Sequence, residues 1–367
     1  MSSTMMQAFG KGAFGQAPAF NASYPLPVAG KLHTYYSSLP SNASCEVLLA
    51  VGFSSVNPSD IDPMMPASNH WPKPMGSDVS GTVIASAGAG CGRLSVNDSV
   101  WGDIGANTFT ASGDKTKELG AYAQFAVALE SQLSRIPRGM GLAEAGALPK
   151  VALTSFKALS WYAGFPARAS ASLLVLGGSA STGALAIQLA KRAWSAANVT
   201  VTTSAANFGY VKSLGADYAI DYRSEDWWDP AVVPPASFDV VYDCVGEAGT
   251  GDRAVAKLRP GGAYVTITGA LASGPLPPDT TQAMFINSDT NLGSAPLLEE
   301  LARLQEAHGA VRMPKIDSTF GLDGVKQAFA RVQTRHTAGK VSIAVPPTTR
   351  AEGAAAVRAW HSSLLYM

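Results

Sequence analysis

The strongest constraint on the fold is a Gly-rich turn at residues 177–183, placed between a strand pattern and a helix pattern. Before it, Ser172–Leu176 is a short apolar run without charge, typical of a buried parallel strand. After it, Leu185 and Leu189 recur at helical spacing. Such a turn points backbone N–H groups at the N-terminus of a helix toward a pyrophosphate. The segment therefore predicts a dinucleotide-binding site.

The turn departs from the full three-glycine fingerprint, because Ala180 stands at the middle position between Gly177 and Gly183. The alternative interpretation is an ordinary tight connection between a strand and a helix. We predict cofactor contacts at the following residues of this turn: Gly178, Ser179, Ala180, Ser181, Thr182 and Gly183.

Composition narrows the function classes. The chain has 367 residues, of which 47% are hydrophobic and 15% charged, and its formal net charge is zero. These values predict a globular protein and argue against nucleic-acid or membrane partners. We see no membrane-length apolar run and no signal-peptide core. The three cysteines are widely spaced and predict no metal pair and no disulfide framework, which favours a reducing compartment, the cytoplasm.

The organisation changes along the chain. Residues up to about 150 contain short strands separated by Gly, Pro and Asn, which indicates a barrel-like domain. From Ser172 strands alternate with helices, which indicates a parallel sheet. The strands predicted there are Ser172–Leu176, Val199–Thr203, Tyr218–Asp221, Phe238–Cys244 and Gly262–Thr268. Later extended segments at Val311–Phe320 and Lys340–Val345 are predicted to rejoin the first domain.

Six blocks occur in the order found in the medium-chain dehydrogenase/reductase superfamily, which the chain resembles over about residues 6–345. They are Asn-Pro-Ser-Asp at 57–60, Gly-Ser-Asp-Val-Ser-Gly at 76–81, Ala-Leu-Pro at 147–149 with Ala-Leu-Thr at 152–154, Leu-Gly-Ala-Asp at 214–217 with Asp221-Tyr222, Asp-Cys-Val-Gly at 243–246, and His-Thr-Ala-Gly-Lys-Val at 336–341.

The resemblance implies an α/β fold, with a Rossmann-type doubly wound parallel sheet domain and a β-rich GroES-like barrel domain. It assigns residues 1–152 with 311–346 to the GroES-like catalytic domain and residues 153–310 to the dinucleotide-binding Rossmann domain. Residues 347–367 form a C-terminal tail, for which both packing on the body and extension of an interface stay open. A homodimer is expected.

The resemblance is to zinc-free members: quinone oxidoreductases, 2-alkenal reductases and standalone enoyl reductases. Zinc-bearing members carry a Cys or His after the first long strand and a Gly-His-Glu later, since catalytic zinc takes such ligands. Here the first position falls in Asn57–Asp60, which contains no thiol or imidazole. At the second position, in Gly76-Ser77-Asp78, Ser77 stands in place of the histidine. We therefore predict no metal.

NADPH is the predicted cofactor. An NAD-specific site places an acid at the end of the second strand, and residues 199–207 contain none. Ser204 and Asn207 are predicted to bind the 2′-phosphate; the alternatives are that Ser204 only caps the next helix and that both cofactors bind. By resemblance, Tyr222 lies beside the adenosine phosphate. The resemblance adds three further cofactor contacts: Thr154, Val245 and Lys340, the last with a surface role as the alternative.

Three residues are predicted to be catalytic, each with a structural alternative. Asn57 is placed near the nicotinamide by the resemblance, but an asparagine before proline is also a common turn residue. Tyr122 is a candidate proton donor or a core residue of a strand. Lys150 either faces the cofactor cleft or extends to water. Asp60 and Asp62 form an acid pair or serve as turn and capping residues.

The predicted function is an NADPH-dependent reductase of quinones or α,β-unsaturated carbonyls, acting by hydride transfer without zinc on a small-molecule substrate. A standalone enoyl-thioester reductase is the alternative within enzymes. A cofactor-binding interaction protein with little catalysis is the alternative of another class. Fold alone does not prove chemistry.

Overall fold

The computed structural model describes residues 5–11, 18–27, 29, 45–61, 73–105, 108–109, 115–116, 120–168, 170–285, 293–313 and 315–364. The chain divides into two units. The first, the barrel unit, comprises Met1–Lys150, Ser288–Ala302 and Lys315–Met367, and the second, the dinucleotide unit, comprises Val151–Asn287 and Arg303–Pro314. Among the described residues, no helix combines the length and apolar character needed to cross a membrane.

The barrel unit is built on a seven-stranded sheet in the order β10-β6-β5-β3-β18-β17, with β9 also paired to β3. Its central strands β3 and β5 are buried for most of their length, as the apolar run at 46–53 predicts. The late strand β18 pairs antiparallel with β3, which brings the end of the chain back beside its beginning. The strands are β1 Met5–Lys11, β2 Ala19–Pro25, β3 Glu46–Ser55, β4 Lys73–Pro74, β5 Asp78–Ala87, β6 Ser99–Asp103, β7 Thr108–Phe109, β8 Lys115–Thr116, β9 Phe125–Leu129, β10 Leu133–Arg135, β17 Ile316–Phe320 and β18 Lys340–Ala344.

The helices of the barrel unit are short except at the C-terminus. They are α1 Pro58–Ile61, α2 Leu142–Ala145, α8 Val325–Gln333 and α9 Arg350–Leu364. Helix α9 packs on the body of the barrel unit, where Ala356 and Trp360 join a buried cluster with Leu48 and Phe125. The tail left open by the sequence is therefore part of the core of this unit.

The dinucleotide unit contains a six-stranded sheet in the order β13-β12-β11-β14-β15-β16, in which every pairing is parallel. The chain order reverses between β11 and β14, as in a doubly wound sheet. The predicted α/β fold class is confirmed. The strands are β11 Ser172–Leu176, β12 Asn198–Thr203, β13 Tyr218–Asp221, β14 Phe238–Asp243, β15 Leu258–Thr266 and β16 Thr281–Met284, and the helices within the unit are α4 Ser181–Gln188, α5 Phe208–Leu214 and α6 Thr250–Val255. Two helices, α3 Pro149–Lys157 and α7 Ala295–His308, begin in the barrel unit and end in the dinucleotide unit.

Cys45 and Cys91 form a disulfide, with their Cα atoms 4.9 Å apart. Cys45 directly precedes β3, and Cys91 lies in the turn after β5. These strands pair antiparallel with Glu46 opposite Ala87, so the pairing brings the two cysteines together. The prediction of no disulfide is wrong, because spacing along the sequence does not reveal which strands pair. The cysteines therefore give no support for a reducing compartment.

Replacing Trp360 tests whether α9 is part of the core. Trp360 is fully buried, so we expect Trp360→Ala to lower the free energy of unfolding by about 3–5 kcal/mol. Trp161, whose surface is 54% exposed, is the matched control, and Trp161→Ala should cost at most about 1 kcal/mol. Urea denaturation measures both variants. Equal losses in the two variants would contradict a core position for α9.

Candidate active site

Each predicted cofactor residue of the dinucleotide unit lies at or beside the carboxyl edge of its sheet. The Gly-rich turn follows β11, Ser204 and Asn207 follow β12, Tyr222 follows β13, and Val245 follows β14. Because the strands are parallel, these segments meet at one edge, where α/β sheets bind ligands. Thr154 lies in α3, and its neighbour Ser155 donates a hydrogen bond to the Thr182 carbonyl at 2.9 Å. The residues that follow strands β11 to β14 therefore lie at one edge of the sheet, and their contacts to a cofactor stay predictions.

The three glycines of the turn, Gly177, Gly178 and Gly183, occupy positions where packing excludes a side chain. Gly177 has a positive φ of 85°, a conformation that favours glycine. A Cβ at Gly178 would lie 2.6 Å from Cβ of Val201, and one at Gly183 would clash with the Gly177 carbonyl. Ala180 precedes α4 and supplies no side-chain oxygen to cap it. An anion can therefore take the position that a capping oxygen would have, and the turn fits a pyrophosphate.

Hydrogen bonds join this turn to the end of β12. The Gly177 and Gly178 amides donate to the side chain and the carbonyl of Thr202 at 3.0 and 2.9 Å. Thr203 Oγ1 donates to Ser179 Oγ at 2.8 Å. The first strand turn and the second strand end are thereby held as one surface, where a doubly wound sheet places the adenosine half of a dinucleotide.

On the opposite side of the turn, the segment after β14 is held by the buried carboxylate of Asp243. Its Oδ1 accepts the Val245 and Gly246 amides at 2.8 and 3.0 Å, and its Oδ2 accepts the Tyr264 hydroxyl at 3.0 Å. Burial raises the pKa of the adjacent Cys244 thiol to about 12, so that thiol is protonated at neutral pH. The segment carries Val245 beside Gly177 in a defined position.

The barrel unit contains a cluster of interacting polar side chains, which we call the polar cluster: Asn57, Asp60, Ser77, Asp78, Asp103, Tyr122, Lys150 and Lys340. Asp78, fully buried, lies at its centre. Its carboxylate accepts Asn57 Nδ2 at 2.8 Å and the Lys150 amide at 2.7 Å, and Lys340 Nζ lies 3.4 Å away. The sequence placed four of these residues, Asn57, Tyr122, Lys150 and Lys340, in a site but did not single out Asp78 or Asp103, although Asp78 stands in one of the family-like motifs.

Asn57 and Lys340 are hydrogen-bonded to each other inside this cluster. Lys340 Nζ donates to Asn57 Oδ1, and the Asn57 amide group donates to Asp78 and Ser77. Asn57 is 2% exposed and Lys340 is buried, so the surface alternative for Lys340 is wrong. Burial lowers the pKa of Lys340, while Asp78 and Asp60 oppose this effect. Both side chains act within the polar cluster, and their contacts to substrate or cofactor stay predictions.

Lys150 and Tyr122 are also buried. Lys150 Nζ lies 3.0 Å from Asp103 Oδ2, so the alternative that this lysine extends to water is wrong. Burial raises the pKa of Asp103, while Lys150 opposes this effect. Tyr122 packs edge-on against Phe9, and its hydroxyl lies 3.1 Å from Asp60 Oδ2.

Asp60 is the half-buried carboxylate of the cluster. It accepts hydrogen bonds from the backbone N–H of Asn57 at 2.7 Å and from the Tyr122 hydroxyl at 3.1 Å. Burial raises the pKa of Asp60 to about 6, while Lys150 and the Asn57 hydrogen bond oppose this effect. Asp60 therefore changes its charge near neutral pH. Asp62, the other half of the predicted acid pair, lies outside the described residues.

The donor set of the polar cluster does not fit zinc. The segment Asn57–Asp60, in which the resemblance places the first zinc ligand, contains no thiol or imidazole, and Ser77 stands at the second position. Asn57 Nδ2 donates a hydrogen bond to Ser77 Oγ at 3.3 Å. Two lysine ammonium groups already neutralise the neighbouring carboxylates. Within the described ranges, no group of three or more His, Cys, Asp or Glu side chains is placed to hold a metal ion.

The raised pKa of Asp60 predicts a pH-dependent stability. Because the folded pKa, about 6, exceeds the unfolded value near 4, the folded state holds the proton more tightly. Relative to Asp60→Asn, the wild type should lose about 2–3 kcal/mol of unfolding free energy as pH rises from 4 to 6. Urea denaturation across this range measures the difference. Asp252→Asn, at an exposed carboxylate whose pKa is lowered, should show no such loss. Parallel curves for wild type and Asp60→Asn would contradict the assignment.

The Gly-rich turn gives a second prediction. Gly183→Ala places a Cβ against backbone, so we expect dinucleotide affinity, measured with NADPH by calorimetry, to fall at least about tenfold. Gly209→Ala in α5 meets nothing within 4 Å and is the matched control, with unchanged affinity. Circular dichroism monitors folding. Unchanged affinity in Gly183→Ala would contradict binding at this turn.

Two family models match the chain: "Alcohol dehydrogenase GroES-like domain" at residues 43–138 and "Zinc-binding dehydrogenase" at residues 214–343. A curated relative, 2-methylene-furan-3-one reductase from Solanum lycopersicum, is 33% identical over 312 residues, covering 83% of this chain and 73% of the relative. The chloroplastic NADPH-dependent alkenal/one oxidoreductase of Arabidopsis thaliana is 30% identical over 311 residues, with the same coverage of each chain.

The solved structure of the quinone oxidoreductase from Coxiella burnetii superposes with a TM-score of 0.71 at 22% identity, covering 93% of this chain and 99% of that one. This likeness establishes the fold. The sequence identity to these relatives over 83% of the chain, the two family models and the paired GroES-like and Rossmann-type architecture agree, and the chain belongs to the medium-chain dehydrogenase/reductase superfamily.

Proposed function

We propose that this protein is a zinc-independent, NADPH-dependent reductase of α,β-unsaturated carbonyl compounds. The observation that carries the proposal is its similarity, over more than four fifths of the chain, to two relatives whose names specify an exocyclic enone and alkenals or enones. Quinone reduction is the second candidate, supported by 34% identity over 234 residues to a protein named chloroplast envelope quinone oxidoreductase homolog from Arabidopsis thaliana.

The chemistry divides between cofactor and protein. Bound NADPH supplies the hydride. The protein has to orient the acceptor, stabilise negative charge on its oxygen and deliver a proton. Asn57, Tyr122 and Lys150 remain the proposed catalytic residues, and all three belong to the polar cluster. Tyr122 is buried and bonded to Asp60, so its proton path runs through that carboxyl group. A pKa of about 6 suits Asp60 to general-acid catalysis near neutral pH.

NADPH is preferred over NADH in this proposal. Support comes from the end of β12, where Thr203, Ser204 and Asn207 carry no charge that would repel a 2′-phosphate. A homodimer and a cytoplasmic location are likewise proposed. The Cys45–Cys91 disulfide makes the compartment worth testing by trapping the cysteine redox state in cells.

The decisive assay follows NADPH oxidation by the purified protein with a short 2-alkenal, a cyclic enone, a quinone and an enoyl thioester, with NADH as the cofactor control. We expect turnover with the alkenal or enone and at least about tenfold higher kcat/KM with NADPH than with NADH. Added chelator should not change the rate, and the metal content should be below stoichiometric.

The other outcomes separate the alternatives. Turnover with the quinone alone selects the second candidate, and turnover with the thioester alone selects an enoyl-thioester reductase. Failure to bind either dinucleotide contradicts every reductase assignment and favours an interaction protein.

A further inference from the structure

Ser204 and Asn207, which the sequence analysis predicts to bind the 2′-phosphate, are neutral and hydrogen-bonded to each other. Asn207 Nδ2 donates to Ser204 Oγ at 3.2 Å, and Ser204 is largely buried. A phosphate monoester carries about −1.5 to −2 charges at neutral pH. The strongest recognition of such a group adds a cationic partner, above all a guanidinium that binds two phosphate oxygens at once, and this neutral pair supplies no positive charge.

Most cations flanking the first three strands of the dinucleotide unit lie at the wrong edge of the sheet. Lys191 Nζ pairs with Asp217 at 3.0 Å, just before β13 begins. Lys212 is in the last turn of α5, whose chain then enters β13 at its amino end. Arg192 donates to the Ser213 and Gly309 carbonyls. Because the strands are parallel, these groups are separated from the carboxyl edge by the length of a strand.

Arg223 lies at the carboxyl edge. It follows β13 by two residues, in a turn in which its amide donates to Asp221 Oδ1 at 3.1 Å and the Ser224 amide donates to the Asp221 carbonyl at 3.0 Å. The preceding amide, of Tyr222, donates to the Thr203 carbonyl at 3.4 Å. The turn that carries Arg223 is therefore attached to the end of β12, one residue from Ser204.

The side chains of Tyr222 and Arg223 form a joint surface. The guanidinium carbon of Arg223 lies 5.8 Å from the centre of the Tyr222 ring, within the range of a cation–π contact. The ring is 49% exposed and Arg223 is exposed as well. The contact orients the guanidinium while its N–H groups keep their capacity to bind an anion in a fork geometry.

We propose that Arg223 is the residue that selects NADPH over NADH, by pairing its guanidinium with the 2′-phosphate beside Ser204, Asn207 and Tyr222. This inference rests on the proposed NADPH-dependent function and names the group that sets its cofactor specificity. The acidic residues nearby, Asp221, Glu225 and Asp226, oppose phosphate binding, which makes a cation at this position more important. Since Arg223 is exposed, its contribution should weaken with added salt.

The experiment measures nucleotide affinity by calorimetry for wild type, Arg223→Ala and Arg223→Lys. The ligands are NADPH, NADH, adenosine 2′,5′-bisphosphate and adenosine 5′-diphosphate, so that the 2′-phosphate contact is measured independently of turnover. Arg259→Ala is the matched control, since it removes an equal charge from the same unit where Arg259 pairs with Asp239 at the opposite edge. Thermal unfolding checks that each variant is folded.

We expect Arg223→Ala to weaken NADPH and the 2′,5′-bisphosphate about tenfold and to leave NADH and 5′-diphosphate within about twofold. Arg223→Lys should recover part of the loss, and Arg259→Ala should change none of the four affinities. Equal weakening of all four ligands, or no weakening of any, overturns the inference.

The inference and the proposed function fail separately. Wild-type protein that binds NADPH and NADH equally overturns the role of Arg223 but leaves a reductase in place. Wild-type protein that binds NADPH tightly and reduces no acceptor overturns the reductase, while the loss of 2′-phosphate affinity in Arg223→Ala still supports the role of Arg223.

Discussion

The buried carboxylate of Asp78 is the interaction on which the polar cluster of the barrel unit depends. An ionised carboxylate without partners would be costly in the interior, so it has to collect hydrogen bonds and a counter-charge. Its partners come from distant parts of the chain: Ser55 at the end of β3, Asn57 after it, the Lys150 amide at the start of α3, and Lys340 at the start of β18. One charged group thus ties together the elements that carry the predicted catalytic residues.

The need of two buried carboxylates, Asp78 and Asp103, for partners explains why the polar atoms of Asn57, Lys150 and Lys340 are turned toward the interior of the unit. Each is occupied by a carboxylate or an amide of the cluster. Asp60 differs, because it is half-buried at the rim and accepts hydrogen bonds from the Asn57 amide and Tyr122. The arrangement provides a carboxyl group, Asp60, with a raised pKa, beside two buried ion pairs formed by Lys150 and Lys340.

The dinucleotide unit is organised by a different constraint, the parallel direction of its strands. Parallel strands collect their following loops at one edge, and close packing excludes a side chain at Gly177, Gly178 and Gly183 of the Gly-rich turn. Thr202 and Thr203 join that turn to the second strand, and Asp243 holds the segment after the fourth. On such a surface, the side chains that project from the backbone distinguish one ligand from another. Tyr222 and Arg223 are exposed side chains of this kind.

The sequence by itself determined the fold class and the limits of four strands of the dinucleotide unit, since β11 and β13 match their predicted limits and β12 and β14 differ by one residue. The prediction for β15 is wrong at both ends, because the strand is Leu258–Thr266 and not Gly262–Thr268, and β16 was not predicted. Hydrophobic runs and glycine turns are local signals, and they suffice for such elements. The tertiary structure alone decided that Cys45 meets Cys91 and that α9 joins the core. It also decided that Lys150 and Lys340 are buried, where Lys150 pairs with Asp103 and Lys340 with Asp78. Those outcomes depend on which strands pair across long separations, and on the energetic need of a buried charge for partners, neither of which a local pattern encodes.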